Sequence, residues 1–356
     1  MKDAILVFGS FPEPHAVDRY VSGALAQRLS ERGRKTILTS RSASRLLRGW
    51  DLLLSVWRER NHFGIAVVDV YSGPAFLWAE GGCALLNGLR KPYVLTLRGG
   101  NLPQFALRHP RRVRRLLQAA EVVTTPSGYL CEQMRPYCEN LVLLPNAVDL
   151  GHYQFRLRQS PTSSLVWLRA FCEIYNPSLA VRVLAGVLKD FPQARLSMVG
   201  PDKGDGSLGR VLAETRKLKL GERVRLEGAV AKAEVPARLQ AGDVFLNTTN
   251  YDNTPVSVIE AMACGLCVVS TNVGGMPYLL EHDKDGLLVP PNDEGAMVKA
   301  VVRVLKEPGL AARLSRNARA KAEQFDWSGV LPQWEALLFE VGAERSDIRP
   351  VASLST

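Results

Sequence analysis

No segment of the chain approaches the ~20 consecutive apolar residues that a bilayer-spanning helix needs, so the sequence predicts no transmembrane anchor. The apolar run near the N-terminus, Ala4-Ile5-Leu6-Val7-Phe8, ends in Gly9-Ser10-Phe11-Pro12. That is not a small-residue cleavage site, and the run reads as a first buried strand, not a signal peptide. Cysteine is scarce. Of the six, only Cys264 and Cys267 form a C-x-x-C; there is no second such pair, and the five histidines show no ligand spacing nearby. A zinc or redox centre is therefore not expected. The two thiols read as small core residues in a reducing compartment. No helix-turn-helix, zinc-finger or RNA-binding signature accompanies the positive charge, which leaves nucleic acid without a reading element.

What is present is a chain of 356 residues with ordinary apolar and charged content, long enough for two core-forming domains. The net charge is +10, and it is uneven: residues 1–150 hold 20 Lys and Arg against 12 Asp and Glu, a net +8. The densest cluster is Arg108, Arg111, Arg112, Arg114 and Arg115, followed by Leu116 and Leu117. On a helix it would offer a basic face to an anionic membrane surface or an anionic acceptor, or simply to solvent.

Short apolar runs alternate with longer amphipathic segments, which predicts repeated strand–helix units in two doubly wound halves. The expected strands are 3–9, 35–40, 64–70, 93–97, 121–125 and 141–144, then 164–169, 194–200, 223–227, 243–247, 266–270 and 287–289. Helices are expected over 17–32, 45–60, 74–89, 103–118 and 127–136, and over 177–190, 207–219, 232–240, 255–264, 275–281, 293–306, 309–323 and 328–342. The stretch 154–164 reads as a linker, which sets domains at 1–155 and 156–330, with a C-terminal helix returning to the first domain and a frayed tail over 331–356. Ligands of open parallel sheets bind beyond the carboxyl ends of the strands. That rule gathers Gly9, Ser10, Arg98, Arg169, Gly200 and Asp252, each just after an expected strand, around a cleft between two facing sheets.

Residues 247–277 are the most informative stretch. Asp252 and Glu260 stand eight residues apart across a helix start, where Asn253 or Thr254 is expected to cap and Pro255 to fill the first helical position. The amides of Val256 and Ser257, with the positive end of the helix dipole, would cradle a diphosphate.

An acid, seven residues, Glu260-Ala261-Met262-Ala263-Cys264-Gly265, a short strand and Gly274-Gly275-Met276-Pro277 resemble the donor-site signature of retaining, GT-B-fold glycosyltransferases of family 4. Pro145-Asn146-Ala147-Val148-Asp149, Met198-Val199-Gly200-Pro201 and Asp285-Gly286-Leu287-Leu288-Val289-Pro290 extend the resemblance in order along the chain. It implies an α/β fold of two Rossmann-like domains, the first for acceptor and the second for donor. It further implies transfer of a sugar from a nucleotide diphosphate sugar to a glycan or lipid-linked acceptor, in cell-surface polysaccharide or glycolipid synthesis. The site would be cytoplasmic or on the inner face of the membrane, with no cofactor beyond the donor and no metal, whose place cationic groups and helix amides would take.

By the same resemblance Glu260 would contact the ribose, Asp252 the sugar, and Arg169 the diphosphate, to which a guanidinium presents a fork of donors. Thr254, Pro255, Val256, Ser257, Gly200, Gly9 and Ser10 would line the nucleotide. Three positions depart from the pattern. Asp252 stands for the usual Glu, Ile174 for the Lys five residues after the arginine, and Arg98 for a His before the glycine. Lys203 is a candidate substitute cation, and His15 a candidate for acceptor binding or proton transfer. Two other readings stay open: a nucleotide-sugar epimerase on the same fold, and a catalytically weak donor-binding or assembly protein.

Overall fold

Runs such as Ala4–Phe8, Tyr93–Leu97 and Cys267–Thr271 are buried at every position. Strands covered on both faces have this character, and it marks parallel sheets with helices on each side. The computed structural model describes residues 4–9, 11, 20–40 and 45–344. It divides into two compact units, Met1–Pro145 with Ser328–Thr356, and Asn146–Trp327.

The first unit runs β1 (Ala4–Phe8), α1 (Val21–Glu31), β2 (Thr36–Leu38), α2 (Arg45–Glu59), β3 (Phe63–Val70), α3 (Ala75–Gly88), β4 (Tyr93–Leu97), α4 (Leu102–Arg108), α5 (Pro110–Gln118), β5 (Val122–Thr125), α6 (Gly128–Met134) and β6 (Leu141–Leu143). Its sheet is parallel, in the order β2-β1-β3-β4-β5-β6. One contiguous core joins Leu6, Val68 and Leu95 of the sheet to Leu52 and Val56 of α2, Phe76 and Ala79 of α3, and Val113 and Leu117 of α5. These three helices therefore cover one face of the sheet.

The second unit continues with β7 (Ser164–Leu168), α7 (Pro177–Val187), β8 (Arg195–Val199), α8 (Ser207–Lys217), β9 (Val224–Gly228), α9 (Val235–Gln240), β10 (Val244–Asn247), α10 (Val256–Ala263), β11 (Cys267–Thr271), α11 (Met276–Leu279), β12 (Leu287–Val289), α12 (Glu294–Lys306) and α13 (Leu310–Ala322). The last helix, α14 (Trp327–Glu344), belongs to the first unit from Ser328 on. The second sheet is also parallel, in the order β12-β11-β10-β7-β8-β9. Strand order reverses between β7 and β10, as it does between β1 and β3 in the first sheet. At such a switch point the connections leave in opposite directions and open a crevice at the carboxyl ends.

The structure differs from the sequence reading in four places. The helix expected over 103–118 is two helices. Pro110 starts the second, lacks an amide and pushes His109 out of the helical region, to φ −131°, ψ 51°. Residues 154–164, read as a linker, are strapped onto the second unit. The buried Arg158 donates to the carbonyls of Cys264 and Gly242, both at 2.9 Å, and lies 2.9 Å from Asp243. The division between units falls after Pro145, ten residues before the expected boundary. Fourth, the cap position of α10 is held by Pro255 itself, in extended conformation, not by Asn253 or Thr254.

Candidate functional site

At the β7/β10 switch the chain leaves β7 through Arg169, whose amide donates to Val199 O at 3.1 Å. Gly200 follows β8 with φ +146°, and a Cβ there would lie 1.8 Å from Arg169 O. Only glycine lets the two strand ends approach so closely. The Arg169 side chain turns to Asp252, which hangs from the loop after β10, and the two form a salt bridge through Nη2 and Oδ2. The guanidinium also stacks over the ring of Tyr175, 4.0 Å from its centroid. Both charged side chains are mostly buried, at 14% and 11% exposure, and Arg169 Nε has no partner. A cation with an unused donor at a strand switch is equipped to take an anion.

The loop that carries Asp252 is clamped by backbone. Gly275 N donates to Asp252 O at 3.1 Å, and Asn146 Nδ2 donates to Thr254 O at 2.9 Å. A Cβ on Gly274 would lie 2.2 Å from Asp252 O, and one on Gly275 2.0 Å from Asn253 O. The paired glycines and the asparagine of Pro145-Asn146 thus fix the approach to α10. The first turn of that helix leaves the amides of Val256 and Ser257 without intrahelical acceptors. Ser257 Oγ is buried with no partner, and Glu260 lies three residues on, on the same helix face.

Glu260 is buried. Its Oε1 accepts the Tyr153 phenol at 2.8 Å and forms a salt bridge with Lys232 Nζ. Burial, reinforced by the Glu260 charge, drives the Tyr153 phenol well above its ordinary range, so it stays a donor. Neither partner of Glu260 is legible in the sequence. Tyr153 stands 107 residues away in sequence and Lys232 stands 28, and no spacing rule connects them. Ile174 brings its carbonyl, not a cation, to the loop: it accepts Asn250 N at 2.8 Å. Lys203 is exposed, its amide tied to Phe171 O at 3.2 Å.

In the first unit, Gly9 ends β1 between two contacts to Thr39: Gly9 N donates to its hydroxyl at 3.0 Å, and that hydroxyl donates to Gly9 O at 2.8 Å. Arg98, after β4, is buried and donates through Nε to Asp69 Oδ1 at 3.0 Å. Asp69 also accepts the Ser22 hydroxyl at 2.6 Å. The sequence signal for Asp69 is a lone carboxylate near the end of the apolar run Phe63–Val70. Ser10 and His15 lie outside the described residues.

In the basic cluster, Leu116 and Leu117, expected beside the arginines at a membrane, are in the core. Arg112 is held by both oxygens of Glu80 and stacks over Phe76. Arg108, Arg111, Arg114 and Arg115 are exposed.

Cys264 and Cys267 are buried free thiols, pushed by burial to about 11 and about 12. Among the described residues no three His, Cys, Asp or Glu side chains gather as a metal site would require. The chain does contain an Asp-x-Asp at Asp283-Lys284-Asp285, but Asp283 pairs with Arg303 and Asp285 with Lys321.

Two doubly wound units, the second with its polar residues at the switch point, define an α/β protein of the GT-B type. Residues 165–321, nearly all of the second unit beyond its strap, match the family model described as Glycosyl transferases group 1. The chain is 28% identical over 260 residues to the exopolysaccharide phosphotransferase of Streptomyces coelicolor, a match covering 72% of this chain and 26% of that protein. It is 32% identical over 167 residues to one component of the Arabidopsis thaliana phosphatidylinositol N-acetylglucosaminyltransferase, covering 46% and 36%. The chain therefore spans only about a quarter to a third of the length of these curated relatives. Among solved structures, Anabaena HepE in complex with UDP and glucose superposes with a TM-score of 0.78 at 17% identity, over 95% of this chain and 99% of that one. Sucrose-phosphate synthase from Thermosynechococcus elongatus superposes with a TM-score of 0.80 at 19% identity, over 96% and 100%.

Proposed function

We propose that the protein transfers a sugar from a nucleotide diphosphate sugar to an acceptor hydroxyl, with retention at the anomeric carbon and without a metal. The observation that carries this reading is the Arg169–Asp252 pair at the β7/β10 switch, set beside the open first turn of α10 with Glu260 on the same helix. Departure of the leaving group builds negative charge on the diphosphate. Arg169 and the amides of Val256 and Ser257 would stabilise that charge where it develops. Asp252 would orient the sugar and answer the positive character of its anomeric carbon. Glu260 uses one carboxylate oxygen for both Tyr153 and Lys232, which leaves the second for a ribose hydroxyl. Ile174 withholds the second cation of the family pattern, and Lys232 is the cation that this unit holds beside Glu260.

The name of the Arabidopsis relative supports glycosyl transfer, while that of the Streptomyces relative is a phosphotransferase's, and the UDP bound by the Anabaena protein makes uridine diphosphate sugars the first donors to test. The acceptor would be a glycan or a lipid-linked group in polysaccharide or glycolipid synthesis, met in the cytoplasm or at the inner face of the membrane. Among the described residues no helix is long and apolar enough to cross one.

Ile174 supports a second reading, a donor-binding protein with little turnover. Incubation of the full chain with a panel of nucleotide sugars and candidate acceptors separates the two. Release of free nucleotide diphosphate with a glycosylated product supports transfer. Donor binding without product supports the second reading, and interconversion of the sugar without an acceptor would mean an epimerase.

A further inference from the structure

Helix α2 has two apolar faces. One is spent on the core: Gly49, Leu52 and Val56 are buried, and Gly49 packs so closely against α3 that a Cβ there would lie 2.1 Å from the Trp78 ring. The other points outward. Leu47, Trp50, Leu54 and Trp57, spaced by three, four and three residues, form one stripe with exposures of 63%, 66%, 47% and 50%. Single exposed apolar residues are ordinary, but a contiguous stripe with two tryptophans marks a surface built to be covered.

The chemistry of the stripe and its surroundings selects the cover. Tryptophan and leucine on one helix face, with arginine alongside, are the composition of helices that lie in a membrane–water interface, where the indole is apolar in body and polar at its N–H. Residues 41–60 hold five arginines against Asp51 and Glu59. Arg60 stacks over the Trp57 ring at 4.4 Å. Helix α5, tied to α3 by the Glu80–Arg112 pair on the same face of the sheet, adds the exposed Arg111 and Arg115. A second copy of this chain would bring the same positive charge to the contact. A coiled coil would need the pattern sustained over three or four heptads, and it stops after three turns.

From this we infer that α2 docks the protein onto an anionic lipid surface, with Trp50 and Trp57 seated at headgroup level and the exposed Arg58, Arg111 and Arg115 supplying positive charge toward the lipid. The inference does not depend on the donor reading, since a chain that bound no nucleotide would still dock. It moves the contact from the Arg108–Arg115 cluster alone to a helix with an apolar face.

The test is flotation of the full chain with vesicles of phosphatidylcholine, with and without phosphatidylglycerol, at low and high salt. The wild type should float with the anionic vesicles, and its tryptophan emission should be quenched by brominated acyl chains. Trp50→Ser/Trp57→Ser should keep the wild-type melting temperature and partition at least ~tenfold less, because binding scales with buried apolar area. Arg111→Ser/Arg115→Ser should shift the salt dependence while keeping the quenching. Absence of flotation at low salt, or a double tryptophan variant that floats like the wild type, overturns the inference. So does a wild-type dimer that the tryptophan variant dissolves, since the stripe would then be covered by a second copy.

Discussion

Arg169 and Asp252 neutralise each other in the free protein, and that pairing decides what substitution at either should do. Asp252→Asn removes the anion that competes with a diphosphate for the guanidinium. Nucleotide diphosphate affinity should hold or rise, while turnover falls by about a hundredfold through loss of a group acting on the sugar in the transition state. Calorimetry together with initial rates checks this, and turnover equal to wild type would remove Asp252 from the reaction. The thiols of Cys264 and Cys267 lead to a second expectation at this scale. Their ordinary value is ~8.5, and burial raises them to about 11 and about 12. The folded state therefore holds their protons more tightly than the unfolded chain. The resulting stabilisation is complete below about pH 8.5 and is lost as pH rises through the folded values. Maleimide labelling at pH 8, followed by mass spectrometry, should leave both unmodified until denaturant is added. Rapid labelling of either in the native protein would contradict their burial.

At the scale of elements, the loop before α10 is held by the backbone of Gly274-Gly275, so a methyl group there acts on the site without touching it. Gly275→Ala places a carbon 2.0 Å from Asn253 O, and the loop must shift. Such overpacking typically costs ~1–3 kcal/mol. Melting temperature and nucleotide affinity should therefore fall together, and a variant with unchanged affinity would show that the loop does not set the site. The central strands were legible because a parallel strand buried on both faces is a short, nearly unbroken apolar run, whereas the edge strands β2, β6 and β9 are partly exposed. The Gly-Gly pair and the Gly after β8 were legible as motif positions, and their reason, neighbouring backbone that an added Cβ would meet at about 2 Å, emerges only from the fold. The split at His109-Pro110 is legible in the proline, which cannot continue a helix from the residue before it. The strap over 154–164 was not legible, because its polar and proline-containing composition is that of a linker. What holds it down is a set of contacts from Arg156, Arg158 and Thr162 to Gly242, Asp243 and Cys264, all more than eighty residues away. Tyr153 and Lys232 escaped notice for the same reason, since tertiary pairing of a buried carboxylate leaves no local pattern.

At the scale of the whole molecule, two doubly wound units each bring polar side chains to a strand switch; Arg169, Gly200, Asp252, Ser257 and Glu260 lie in the second, while Gly9, also expected at the nucleotide, lies in the first. Residues 146–327 should therefore carry nucleotide binding whatever the acceptor proves to be. The most direct test is calorimetric titration of the full chain with UDP, GDP and ADP, repeated on Arg169→Ala and Glu260→Ala, with circular dichroism to establish that each variant is folded. One nucleotide diphosphate should bind the wild type at a single site. Arg169→Ala should weaken it by at least ~2 kcal/mol, the scale of a charge-assisted bond in a site shielded from water. Glu260→Ala should weaken the nucleotide while leaving inorganic pyrophosphate unchanged, because its proposed contact is to the ribose. If none of the three nucleotides binds, or if both folded variants bind as the wild type does, the donor site is not where the β7/β10 switch and α10 put it.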